Sequence, residues 1–117
     1  MTPIELTQTI ARILDSKKAQ DIQALHTEDV TAIADYFVIA TGSSTNQVRA
    51  LVDELEFQLK ENHGITPLRI EGYDTRNWVV LDYNAVVVHV LYPEQRDFYA
   101  LENLWADATE VELNLEG

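Results

Sequence analysis

An α/β domain with a mixed sheet of four or five strands and flanking helices is the fold class this chain predicts, on three observations. Two segments carry apolar residues at helical spacing behind well-formed N-terminal caps. Three runs, at 36–41, 78–82 and 85–91, are apolar and rich in β-branched or aromatic residues. A strand, a helix and a second strand also follow one another through short connections, the pattern of a crossover unit. At 117 residues there is room for one core. Residues 1–108 read as a single domain and 109–117 as an acidic C-terminal tail.

Thr2, Pro3 and Glu5 open the first helix: an N-cap hydroxyl, proline at the first helical position, and a glutamate three residues on that completes a capping box. Leu6, Ile10, Ile13 and Leu14 form its stripe, and Lys17 and Lys18 stand at the negative end of its dipole. Ile22 to His26 reads as a short edge strand. Tyr36 to Thr41 is a continuous apolar run, as suits a strand covered on both faces. Ser44 and Gln47 cap a second helix with the stripe Val48, Leu51, Val52, Leu55 and Leu59, ended by Gly64. Leu68 to Glu71 is then a strand closed by Gly72, expected to run parallel to the first through a right-handed crossover.

The run from Trp78 to Leu91 predicts a hairpin with a two-residue turn at Tyr83-Asn84. That register places Asp82 opposite Ala85, Val80 opposite Val87 and Trp78 opposite His89. One face, with Val79, Leu81, Val86, Val88 and Val90, is wholly apolar and belongs to the core. The other carries Trp78, Val80, Asp82, Val87 and His89, a mixed surface that lies under a helix or meets a partner. Pro93 opens a last helix with Phe98, Leu101, Leu104 and Trp105 on one stripe. From Thr109, apolar Val111, Leu113 and Leu115 alternate with polar residues; a frayed acidic tail is the default reading and an edge strand the alternative.

Charge narrows the partner class. Eight basic against twenty acidic residues give 8 − 20 = −12. Nucleic-acid binders draw most of their non-specific affinity from Lys and Arg on phosphates, so this surface opposes direct binding to a polyphosphate backbone. A basic protein is the natural complement, although acidity also serves solubility alone. There is no cysteine, hence no disulfide, thiolate nucleophile or cysteine-held metal, and His26, His63 and His89 form no local ligand pair. No apolar run is long enough to span a bilayer and no signal peptide is predicted, so the expected location is the cytoplasm.

Two segments invite a catalytic reading. Thr41 to Thr45 is a strand-to-helix loop with amides suited to an anion, but no lysine follows as in a phosphate-binding loop, and plain helix capping is the favoured reading. A Gly-Ser step after a strand also suggests nucleotidyltransferases, whose chemistry needs converging carboxylates for divalent metals. Here Asp53 and Glu54 fall in the helix, while Glu71 and Asp82 stand singly. The expectation is no enzyme, no cofactor and no metal. His89 reads as a hydrogen-bonded structural histidine. Trp78 reads equally as an interface anchor after the polar loop 74–77 or as a core tryptophan.

The blocks Asp35-Tyr36-Phe37-Val38-Ile39-Ala40-Thr41-Gly42-Ser43-Ser44, Glu71-Gly72, Trp78 to Tyr83, Val86 to Val90, Arg96 to Tyr99, Leu101-Glu102 and Leu104-Trp105 recur in order in one family. Over about nine-tenths of its length the chain resembles the ribosomal silencing factors, also called the Iojap family. The resemblance implies a nucleotidyltransferase-like fold without transferase activity. It further implies a homodimer off the ribosome and binding to the fourteenth protein of the large ribosomal subunit. That binding would block small-subunit joining and repress translation under nutrient limitation. On this reading Trp78 is the anchor, flanked by Val80, Asp82 and His89, and Asp35 and Glu71 meet basic side chains of the partner. Asn84-Ala85 replaces the Gly-Asp usual in the family, and His26 stands where an aspartate is common.

Overall fold

The computed structural model describes residues 1–74, 77–93, 108–113 and 115. Helix α1 (Pro3–Ser16) begins as its sequence dictates: Thr2 N donates to Glu5 Oε1 at 2.8 Å and Glu5 N donates to Thr2 Oγ1 at 3.3 Å. Hydrogen bonding to the carboxylate, from the Thr2 backbone first and its side chain second, holds the Glu5 carboxyl below the usual range. Helix α2 (Thr45–His63) is capped by Ser44 Oγ, which accepts from Gln47 N at 3.1 Å, and closed by Gly64 at φ 66°. Its five predicted stripe residues are all buried. Each such side chain contributes about 1.5–3 kcal/mol of transfer free energy, which outweighs the helix's own weak propensity.

Strands β1 (Gln20–His26), β2 (Tyr36–Thr41), β3 (Arg69–Glu71), β4 (Trp78–Asp82), β5 (Val86–Leu91) and β6 (Thr109–Glu110) form one mixed sheet in the order β3-β4-β5-β2-β1-β6. Among the described residues the sheet therefore has six strands rather than four or five. Among the described residues only β2 and β5 pair in parallel; they are the two continuous apolar runs, and they take the centre where both faces are covered. Both helix stripes pack with Val38, Ala40, Val79, Leu81, Val86, Val88 and Val90 into the main core. The opposite face holds a smaller cluster of Leu25, Ala34, Phe37, Ile39, Val87 and Leu91.

One expectation holds in direction though not as neighbours, and two are corrected. First, β2 and β3 run in the same direction, since β3 is antiparallel to β4, β4 to β5, and β5 parallel to β2; but β4 and β5 stand between them, so the α2 crossover skips two positions. Second, the hairpin turn is Asn84-Ala85, closed by Tyr83 N donating to Val86 O at 2.9 Å. The register is displaced by two residues: Trp78 lies opposite Leu91, Val80 opposite His89, and Asp82 opposite Val87. The reason is Tyr83, whose ring is drawn into the main core and would stand exposed at the tip of the other turn. Asn84 takes φ 75°, and its N donates to Asp82 Oδ1 at 2.8 Å. A two-residue displacement preserves parity, so each side chain keeps its predicted face.

Third, Ile22–His26 belongs to a longer strand that is not an edge. Thr109–Glu110 pairs antiparallel with Leu25–His26, and Val111 and Leu113 pack against the main core. The less favoured alternative, an edge strand, is what these residues form. The helix expected from Pro93 through Trp105 falls outside the described residues after Pro93 itself.

Candidate protein-binding face

The mixed face of the hairpin is built in rows across the sheet, because directly paired residues share a face. One row runs Glu71, Val80, His89, Ile39; the next runs Arg69, Asp82, Val87, Phe37; Trp78 and Leu91 begin a third. Five of the six predicted site residues, Trp78, Val80, Asp82, His89 and Glu71, thus lie on one continuous face. Asp35 stands apart, just before β2, where its N donates to Ala85 O at 2.9 Å beside the hairpin tip.

Trp78 is half-buried and its indole Nε1 donates to His89 Nδ1 at 3.0 Å. His89 also packs against Phe37, ring centroids 5.2 Å apart. Burial pulls its imidazole down to about 4, so it is neutral at physiological pH. With Nδ1 accepting, Nε2 carries the hydrogen, and this atom is sealed from solvent with no hydrogen-bond partner among the described residues. His89 therefore supports Trp78 from beneath rather than presenting itself at the surface.

The segment that delivers Trp78 is fixed from two sides. Gly72 has φ 82°, and a Cβ there would lie 2.1 Å from the Trp78 carbonyl oxygen, so only glycine lets the two backbones approach. Next to it, the Tyr73 hydroxyl donates to Asp53 Oδ1 at 2.7 Å and accepts from Arg49 Nε at 2.9 Å, tying the β3–β4 loop to α2.

Around Val80 and Asp82 the face opens into a depression of about 170 Å3 lined by Ile33, Arg69, Glu71, Val80, Asp82 and Val87. Sequence reasoning missed Ile33, which sits in the β1–β2 loop with no periodic pattern; its signal is an apolar side chain 67% exposed. Arg69 Nη2 stands 3.7 Å from Asp82 Oδ2.

The strand-to-helix loop is filled by its own chain. Gln47 Oε1 accepts from Ser43 N, while Gln47 Nε2 donates to Lys17 O and Lys18 O at 3.4 and 3.3 Å. These bonds clamp the end of α1 to the start of α2, the capping role favoured for the loop. Among the described residues no three His, Asp or Glu side chains gather as a metal site, and no helix is long and apolar enough to cross a membrane.

The family described as ribosomal silencing factor during starvation matches residues 1–116. The chain belongs to this family. Among ribosomal silencing factors, those of Halalkalibacterium halodurans and Bacillus subtilis are 42% and 40% identical over 113 and 114 residues, covering 97% of this chain and 96% of each relative. A crystal structure of a Chromobacterium violaceum protein superposes with a TM-score of 0.86 at 33% identity, covering 99% of this chain and 95% of that one. The Chromobacterium violaceum protein thus shares this mixed α/β fold, and the resemblance drawn from the sequence blocks holds.

Proposed function

We propose that this chain represses translation by docking its hairpin face on the fourteenth protein of the large ribosomal subunit, where it blocks joining of the small subunit. The observation that carries the reading is the continuity of Trp78, Val80, Asp82 and Glu71 on one sheet face of a chain with net charge −12, in a family of ribosomal silencing factors. A half-buried tryptophan on a hydrogen-bonded support is the composition of an interface anchor, and an acidic surface is the complement of a basic ribosomal protein. Asp35 adds a carboxylate beside the hairpin tip. The protein acts by occupying a surface, without catalysis or a cofactor, in the cytoplasm, and pairs with a second copy when off the ribosome.

The test is subunit joining. Purified small and large subunits are mixed with and without excess protein, and the intact ribosome is followed by sedimentation. Loss of the intact particle with protein bound to the large subunit is the expected result. Undiminished joining at saturating protein would overturn the reading.

A further inference from the structure

From the depression around Val80 and Asp82 we infer that this face holds a dedicated receptor for one basic side chain of the partner, a lysine or arginine whose aliphatic stem lies on Ile33, Val80 and Val87 and whose cationic head meets Glu71. The inference rests on the proposed docking of this face and names the chemistry of one contact within it.

Three observations converge. Of the residues lining the depression, Ile33, Val80 and Val87 are apolar, Glu71 and Asp82 are carboxylates, and Arg69 is paired with Asp82. That combination fits an amphipathic side chain with a long apolar stem and a charged end. Next, the charges do not balance within the chain. Asp82 is engaged on both oxygens, by Asn84 N at 2.8 Å and by Arg69 at 3.7 Å. Glu71 is exposed and its carboxylate makes no hydrogen bond or ion pair among the described residues. Glu71 thus stays free to accept a cation from a partner. Finally, Ile33 is exposed on a loop that is not free to fold it away. Thr27 Oγ1 donates to Ala34 O at 2.9 Å, Val30 N and Thr31 N both donate to Thr27 O at 3.0 Å, and Ile33 N donates to Thr31 Oγ1 at 3.2 Å. An apolar side chain held out in water by a tied loop is presented for cover.

The experiment uses the full chain with methyl-labelled Ile and Val. It is titrated with the capped peptide acetyl-Gly-Lys-Gly-amide and with its norleucine counterpart, which keeps the stem and removes the charge. The lysine peptide is expected to shift the Ile33, Val80 and Val87 methyl signals. The norleucine peptide, or the lysine peptide on Glu71→Gln, should shift them several-fold less. Equal shifts from both peptides, or shifts confined to other methyls, would overturn the receptor. In parallel, Glu71→Gln and Ile33→Ser are expected to weaken binding to purified large subunits about fivefold each, a rim-sized effect. Large-subunit binding by the unmodified chain that Trp78→Ala abolishes and these two variants leave unchanged overturns the receptor while sustaining the docking reading. Failure of the unmodified chain to bind overturns both.

Discussion

The indole Nε1 of Trp78 donates to Nδ1 of His89, 3.0 Å away on the neighbouring strand. The two residues are diagonal rather than opposite, since Val80 pairs with His89 and Trp78 with Leu91. The bond is thus made by side-chain reach across the pleat, and it fixes how far Trp78 leans over the sheet. It also sets the protonation of the histidine, because an indole N–H needs a lone pair to receive it.

Stability should therefore fall as pH drops, in a window set by His89. Burial depresses its folded-state value to about 4 from an ordinary 6.5. Above about pH 6.5 the imidazole is neutral in both states and the contribution is fully present. As pH falls from about 6.5 to about 4 the unfolded chain takes up a proton that the folded one resists, and the contribution is lost; below that it is flat. The full shift corresponds to roughly 3 kcal/mol. Urea unfolding of the native chain and His89→Leu across this range checks it. The expected difference between them shrinks toward acid, and a pH-independent difference would count against a neutral, buried His89.

Gly72→Ala should be far more damaging than Gly64→Ala. Both glycines have positive φ, 82° and 66°, so each alanine incurs the left-handed penalty of about 1–2 kcal/mol. At Gly64 nothing lies within 4 Å of the added carbon, whereas at Gly72 it meets the Trp78 carbonyl oxygen at 2.1 Å. That contact cannot be relieved by a side chain turning away, so the β3–β4 connection must move, at a total of about 3–5 kcal/mol. Thermal unfolding ranks the two, and Trp78 fluorescence should change only in the Gly72 variant.

Truncating the anchor should separate binding from folding. Trp78 is half-buried and packs against the smaller cluster, and the main core beneath the helices does not include it. Trp78→Ala is expected to weaken large-subunit binding by about 2–4 kcal/mol, as truncated aromatic anchors do. Circular dichroism and a cooperative unfolding transition should persist. A variant that no longer unfolds cooperatively would assign Trp78 to the core.

The legible parts of this chain were those in which one local rule decided the outcome. Thr2 with Glu5 and Ser44 with Gly64 specify helix ends through their own hydrogen-bonding and φ preferences, and the α2 stripe follows from periodicity. Alternation assigned each hairpin residue to its face. The turn was harder because Tyr83-Asn84 and Asn84-Ala85 satisfy the same local chemistry; burial of Tyr83, a tertiary effect, chooses between them. The pairing of β2 with β5 was not legible for a similar reason. It is a long-range choice between strands that both sit well at the centre of a sheet. At the site, Trp78, Val80, Asp82 and Glu71 emerged from face parity and family blocks. Ile33 has neither: only its exposure on a tied loop marks it, and that is a property of coordinates.

Association with the partner should be steered by charge and so respond to salt mainly through its rate of encounter. The chain carries −12, and the exposed carboxylates near Trp78 include Asp74 and Glu71. At 0.15 M salt the Debye length is about 8 Å, so long-range attraction is already trimmed and more salt trims it further. Contacts made after docking, chiefly around Trp78, lie inside that length and govern dissociation. Across a salt series with the isolated partner protein, the association rate is expected to fall several-fold while dissociation stays nearly constant. Asp74→Lys should lower the association rate at low salt and flatten its slope, because it removes one attractive charge and adds a repulsive one. Direct rRNA binding through local Lys and Arg would respond in the opposite sense, with Asp74→Lys raising the rate. Stopped-flow kinetics decides between them, and an association rate indifferent to salt would rule out steering.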